Sequence, residues 1–332
     1  MTIIHQVSPC CGASIRRFGG RRRQCGACKR TWRRYPHRRG RNPRRKQIRL
    51  LREAVLYAQP LRQQARLQSA LTVSGVRDRF RNTLRVFTKH PRAFSALRGS
   101  YVLIADGVWY TFQNEKWVLY LLLLKPCRRN YALLLDPVLL KGRETFQNWN
   151  AALLSIPESV RNRILALVSD HFRASEKISR RFGWIHQLCH FHLIAELERR
   201  RGKFKTRLAG VSIRETIYQC VVRLLTREDR HLEQRLRKLI LHPDCPRAVG
   251  RIAGEFLRAR SQYRSYLHYP DLTLPKTTGV AESLAKLIRK RTWPLRTPVS
   301  VLQWTTAFIR LKKNMTCNGT NTTLKNSTKL TD

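Results

Sequence analysis

The run Tyr101-Val102-Leu103-Ile104-Ala105-Asp106-Gly107 constrains this chain more than any other stretch. An apolar run of this kind, closed by one carboxylate and a glycine, reads as a buried strand. A buried unpaired carboxylate is expensive, so an acid at that place is expected to meet a cation or a substrate. The device recurs at Ile164-Leu165-Ala166-Leu167-Val168-Ser169-Asp170. Two strands that each deliver an Asp to one sheet edge make a divalent-metal site. Taken singly, either acid reads as the cap of a following turn.

Charge narrows the partner. The 332 residues carry 67 Lys and Arg against 20 Asp and Glu, a formal net charge of +47. That imbalance points to a polyanion, and nucleic acid is the expected one. No basic amphipathic helix with a clean apolar face stands out, and the most apolar run, Leu119 to Leu124, is strand-sized, so no membrane partner is expected. The N-terminus has no charged segment followed by an apolar core, so no signal peptide is expected. Nine cysteines, four of them crowded into 10–28, do not suggest a disulfide framework, and a reducing compartment fits.

Residues 1–42 are basic, turn-rich and hold that cysteine crowd. Cys25-Gly26-Ala27-Cys28 is a C-x-x-C knuckle, and Cys11-Gly12 looks like the closing half of another. Such turns supply soft ligands for one structural Zn²⁺. Ser8 stands where the spacing wants a cysteine, which leaves Cys10 or His5 as the fourth ligand beside Cys11, Cys25 and Cys28. A degenerate ribbon without metal is the alternative. Arg21, Arg22, Arg23, Arg33 and Arg34 around the knuckle suit phosphate contacts.

Residues 43–98 read as helices. Leu50, Leu51, Ala54 and Val55 have helical spacing, Pro60 opens Leu61–Leu67, and Val73–Phe80 starts a further helix carrying Arg77 and Arg79. The pair resembles a helix-turn-helix, with a plain helical hairpin as the alternative. From 99 to 190 the pattern changes. Strand-like runs at 101–106, 116–124 and 131–136 precede a helix with Phe146, Trp149, Leu153 and Leu154 on one face. The strand ending at Asp170, a basic helix near 174–181 and a strand at Trp184–Cys189 follow. This is a mixed α/β order that matches a ribonuclease H-like core. Residues 191–272 read as an all-helical insertion, and 273–313 as closing helices. The Asn/Thr-rich end, 314–332, reads as a disordered tail.

A third acid completes the pattern. Thr277-Thr278-Gly279-Val280-Ala281-Glu282 opens a helix, and Glu282 is an isolated acid in a segment thick with Lys and Arg. Standing alone it would read as an acid favouring the helix dipole. Together with Leu103-Ile104-Ala105-Asp106-Gly107-Val108-Trp109, Val168-Ser169-Asp170 and Cys189-His190-Phe191-His192, it makes the chain resemble the DDE transposases, most closely the mutator-like group and its relatives in bacterial insertion sequences. The resemblance covers nearly the whole chain except the tail. The Cys189–His192 spacing matches that family's C-x-x-H motif, and the interval before Glu282 leaves room for its helical insertion. His171 stands where relatives often have Gly.

The resemblance implies a DNA transposase that cleaves and joins strands at the ends of a mobile element. Asp106, Asp170 and Glu282 would be catalytic and would hold two Mg²⁺ (or Mn²⁺) ions, with Cys189 and His192 behind them. It also implies double-stranded DNA as partner, action as a homodimer or higher multimer on DNA, and a cytoplasmic, DNA-associated location. The alternatives are a catalytically inactive relative and a DNA-binding regulator.

Overall fold

The computed structural model describes residues 8, 10–18, 22–33, 43–67, 72–91, 99–172, 174–201 and 210–317. His5, Arg21, Arg34 and the tail beyond 317 lie outside the described residues.

Strands β1 (Ile15–Phe18), β2 (Arg22–Cys25) and β3 (Thr31–Arg33) pair antiparallel in a small sheet. Helices α1 (Pro43–Val55), α2 (Leu61–Leu67) and α3 (Val73–Thr88) come next. Thr72 caps α3, its hydroxyl accepting from the Gly75 N–H at 3.1 Å. Leu50, Ala65 and Val76 form a small core among these helices. Leu51, Val55 and Leu84 point away from it, into the main core.

The central sheet follows: β4 (Tyr101–Phe112), β5 (Glu115–Pro126), β6 (Tyr131–Leu134) and β7 (Val138–Lys141), then α4 (Phe146–Leu154), α5 (Glu158–Arg161), β8 (Ile164–Ser169), α6 (Ser175–Phe182) and β9 (Ile185–Leu188). Helices α7 (His190–Arg201), α8 (Val211–Leu224), α9 (Arg230–Leu241), α10 (Arg247–Arg258), α11 (Arg260–Tyr263) and α12 (Ser265–His268) make a unit with its own apolar cluster. The chain then returns to the sheet through α13 (Gly279–Thr292), α14 (Pro298–Lys312) and β10 (Asn314–Thr316).

The result is a mixed α/β fold around a seven-strand sheet in the order β10-β6-β5-β4-β8-β9, with β7 also on β5. β5 runs antiparallel to both β4 and β6, while β4, β8 and β9 are parallel. Both faces of the sheet are covered. Val102, Ile104 and Val108 of β4 pack with Ala281, Ile288 and Phe308 of α13 and α14. Tyr101, Leu103 and Ala105 pack on the other side with Trp149 of α4 and Ile178 of α6. Double coverage is why β5 reads as unbroken Leu rather than alternating.

Four details differ from the sequence reading. β4 does not stop at Asp106. It runs on to Phe112 and turns through Gln113 and Asn114, both in the left-handed region (φ 49° and 64°), into β5. That is the backbone a two-residue hairpin of right-handed twist requires. The run at 131–136 is strand only over Tyr131–Leu134 (β6), and a separate short strand, β7, begins after Pro137, which has no N–H to give a ladder. Leu154 is exposed, so the buried side of α4 is Trp149, Ala152 and Leu153. The sheet also reaches past 313, because Asn314 pairs with Leu133 and Thr316 with Tyr131.

The α1–α3 unit is fastened to the core at two helix ends. Arg310 of α14 donates to the carbonyls of Phe87, in the last turn of α3, and of His90, just past it (2.6 Å each), while its fork grips Asp136 at 3.0 and 2.6 Å. Arg291 of α13 donates to the Val55 carbonyl at 3.1 Å, closing α1. Cations at these ends satisfy carbonyls that a helix leaves open.

Candidate active site

Register places the first two acids. Ile104 of β4 lies opposite Val168 of β8 in a parallel pair, so two residues further on Asp106 and Asp170 stand side by side. Neighbouring strands are about 5 Å apart, and both residues share the face of Val102, Ile104, Ala166 and Val168. That face is the one α13 covers. β8 ends at Ser169, so at the level of Asp106 β4 is paired with β5 alone.

Glu282 enters from α13. Its neighbours Ala281 and Ala285 are buried against the sheet, which leaves Glu282 on the flank of the helix, partly buried, with Lys286 at 3.2 Å. The helix is pinned at both ends. At its start, the Cys189 Sγ at the end of β9 accepts from the Thr278 backbone N–H (3.2 Å) and hydroxyl (3.3 Å). At its end, Thr292 shares a 2.9 Å hydrogen bond with Tyr110 of the β4 extension. The Cys189–Thr278 contact bears directly on where Glu282 stands. His192, one turn along α7 from Cys189, faces the acids.

The electrostatics bind these groups into one cluster. Burial, reinforced by the charge of Asp170 and weakly by Glu282, lifts the Asp106 carboxyl to about 6, against the attraction of His192 and a hydrogen bond from the Gly107 N–H. Burial also lifts Asp170, opposed by His192 and His171. A hydrogen bond to Cys189 raises His192 to about 9, against burial and helped by Cys189, Asp170 and Asp106. Burial is the largest effect on Cys189 and would raise it. The His192 and Thr278 contacts outweigh it and leave the thiol lowered. Among the described residues, neither Asp106 nor Asp170 has a Lys or Arg ion pair, in a chain with 67 such residues. Hard carboxylate oxygens kept clear of lysine and arginine are the donor set a Mg²⁺ or Mn²⁺ ion takes.

A fourth acid stands here that the sequence reading missed. Burial lifts Glu144 to about 7, with Asp170 and Asp106 adding to it. It lies in the turn between β7 and α4, where no periodicity marks it. The scarcity of acids in the chain was the one available signal.

The N-terminal sheet carries a second cluster. The Sγ atoms of Cys10, Cys11, Cys25 and Cys28 lie within 4.8 Å of one another and could hold a metal such as zinc. Among the described residues Cys10 joins the other three, and His5 lies outside them. Ser8 puts its hydroxyl 3.2 Å from the Cys25 Sγ. That hydrogen bond, with backbone donors from Cys28 and Ala27, draws Cys25 down to about 6, while hydrogen bonding with Cys28 pushes Cys11 up to about 12. Thiols that share protons in this way release them when a cation binds.

Of the arginines expected on DNA, Arg22 is exposed and Arg23 partly so on β2. Arg33 lies on β3 opposite Arg22. Arg77 and Arg79 are exposed on α3, and Arg81 and Arg85 continue the row of Arg77 at helical spacing. No helix among the described residues is long and apolar enough to cross a membrane.

No protein-family model matches the chain, and no curated protein matches it in sequence.

Proposed function

We propose that this chain is a DNA transposase of the mutator-like DDE group, with a ribonuclease H-like catalytic core. The observation that carries the reading is the register of β4 on β8, which sets Asp106 beside Asp170 on the face that α13 covers with Glu282. The strand order β6-β5-β4-β8-β9, antiparallel for the first three and parallel for the rest, supports the core assignment. The helical unit between β9 and α13 supports the insertion.

In this reading Asp106, Asp170 and Glu282 hold two Mg²⁺ ions, which would supply an activated water or 3′-hydroxyl and stabilise the leaving oxygen. Asp106, set beside Asp170 by the register, would be the central ligand for the ions. Cys189 keeps the start of α13, and so Glu282, in register with β9. His192 offsets part of the repulsion between Asp106 and Asp170. DNA is held by phosphate contacts from Arg22, Arg23 and the exposed arginines of α3, with a zinc-bound cysteine cluster stiffening the N-terminal sheet.

A paired measurement tests this: DNA affinity against salt, and Mg²⁺-dependent cleavage of the DNA flanking the chain's own gene. Asp106→Asn should abolish cleavage and keep binding, because an amide cannot bridge two cations. Arg21, Arg22 and Arg23 changed together to Ala should weaken binding and flatten the salt slope, while sparing cleavage on saturating DNA. If Asp106→Asn cleaves like the wild type, the assignment fails. Binding without cleavage by the wild type would favour a DNA-binding regulator or an inactive relative.

A further inference from the structure

Glu144 has no part in the function above, yet the fold builds a place for it. Asn148 clips the turn on both sides, its side-chain amide donating to the carbonyls of Lys141 (3.2 Å) and Arg143 (3.0 Å). Gly142 supplies a φ of 106°, and Thr145 caps α4 directly after Glu144. The backbone to either side of this one acid is therefore fixed.

Its side chain ends at Gly107. Odd-numbered residues of β4 face the α4 and α6 layer, and even-numbered ones face α13 and α14. Asp106 thus points to one side of the sheet and Gly107 opens the other. A methyl group built on Gly107 would overlap the Glu144 carboxylate and lie 2.8 Å from its Cδ. The carboxylate occupies the space a side chain at 107 would take, so any side chain there would push it aside. Two acids therefore approach adjacent positions of β4 from opposite faces, at the level where β8 has ended. Among the described residues Glu144 has neither a hydrogen bond nor an ion pair. The charges that act on it are those of Asp170 and Asp106.

We propose that Glu144 is a fourth carboxylate of the divalent-cation site formed by Asp106, Asp170 and Glu282. It reaches the ions through the gap at Gly107 as an anionic acceptor for ion-bound water, its negative charge, which an amide lacks, supplying the attraction. This rests on the reading of those three acids as metal ligands. Mg²⁺ and Mn²⁺ keep part of their water shell in protein sites, and acceptors for that shell change metal affinity on the order of 10–100-fold. The competing role is electrostatic support of the α4 N-terminus, which sits one residue away.

The two roles separate in a Mn²⁺ titration of the zinc-loaded full chain, followed by the electron-spin-resonance signal of the free ion and paired with thermal melts. Glu144→Gln should weaken Mn²⁺ binding by roughly 10–100-fold. Gly107→Ala should do the same without removing any acid, by displacing the carboxylate. The double variant Gly107→Ala with Glu144→Ala relieves the overlap, so it should melt like the wild type and bind no more weakly than either single variant. Wild-type Mn²⁺ affinity in Glu144→Gln overturns the proposal, whether or not its melting temperature falls. Should Gly107→Ala fail to fold, Glu144→Gln alone decides. Asp106→Asn is the reference. If it loses Mn²⁺ while Glu144→Gln does not, the site stands and the fourth ligand falls. If Asp106→Asn binds Mn²⁺ like the wild type, the metal site itself is refuted.

Discussion

Asp106→Asn should make the metal-free protein more stable while abolishing its chemistry. The reasoning starts from the proton. Burial and the neighbouring Asp170 lift the native carboxyl from its ordinary 3.8 to about 6. Two pH units correspond to about 3 kcal/mol of disfavour for the ionised form. Asp106 is only partly buried, so solvent screening brings the expected gain to about 2 kcal/mol. The amide keeps the acceptor for the Gly107 N–H, now 2.9 Å from Oδ1, so that bond is not lost. Native Asp106 holds its proton up to about 6, whereas the unfolded chain releases it near 3.8. The wild type is thus free of the penalty below pH 4, loses stability as pH rises through 4–6, and carries the whole cost by pH 8. The assay is thermal unfolding of both proteins in magnesium-free buffer, zinc-loaded at pH 8 and zinc-free at pH 4, the variant being compared with the wild type at each pH. At pH 8 the variant should melt several degrees higher, at ~2–4 °C per kcal/mol for a chain of this class. At pH 4 the two should coincide. Added Mg²⁺ at pH 8 should raise the wild type and leave the variant unmoved. A variant no more stable than the wild type at pH 8 would refute the claim that this carboxylate is buried at a cost.

Two further outcomes follow from other contacts. Arg310→Met strips the guanidinium from Asp136 and from the Phe87 and His90 carbonyls, with only 12% of the arginine side chain exposed, so urea unfolding should show a loss of ~3 kcal/mol. A change below about 0.5 kcal/mol would mean that α3 is held to the core by other contacts. Cys25→Ser should abolish the one-to-one zinc binding expected of the full chain, measured by metal analysis after dialysis, and a wild type that retains no zinc would remove the metal role of the cysteine cluster.

The two Asp-terminated runs were legible because a carboxylate closing a Val/Leu/Ile strand is a local pattern, written in consecutive residues. Glu282 was legible as an isolated acid opening a helix. The knuckle Cys25–Cys28 was legible from spacing, but the sequence left the fourth ligand between Cys10 and His5, because only the path of the sheet brings the Cys10 sulfur to the same centre as the others. The extension of β4 beyond Asp106 escaped notice because its residues there, Trp109 to Phe112, no longer form a uniform apolar run. Their strand is fixed by the pairing with 115–118 across a two-residue turn.

By itself, then, the sequence determined the succession of strands and helices, the excess of cation, and which acids lie at the ends of apolar runs, since each of these depends on neighbours along the chain. What tertiary structure alone decided is how those acids are placed relative to one another. The parallel register of β4 on β8 sets Asp106 against Asp170, and Cys189 and Tyr110 fix the helix that brings Glu282. The most distinctive case is Glu144, in an ordinary polar turn whose role exists only because residue 107 has no side chain and a carboxylate can fill its space from the opposite face of the sheet. Convergence of that kind depends on register, on which side of a strand a residue faces and on the volume left by an absent atom. Those quantities are set by packing between distant segments and leave no periodic trace in the chain.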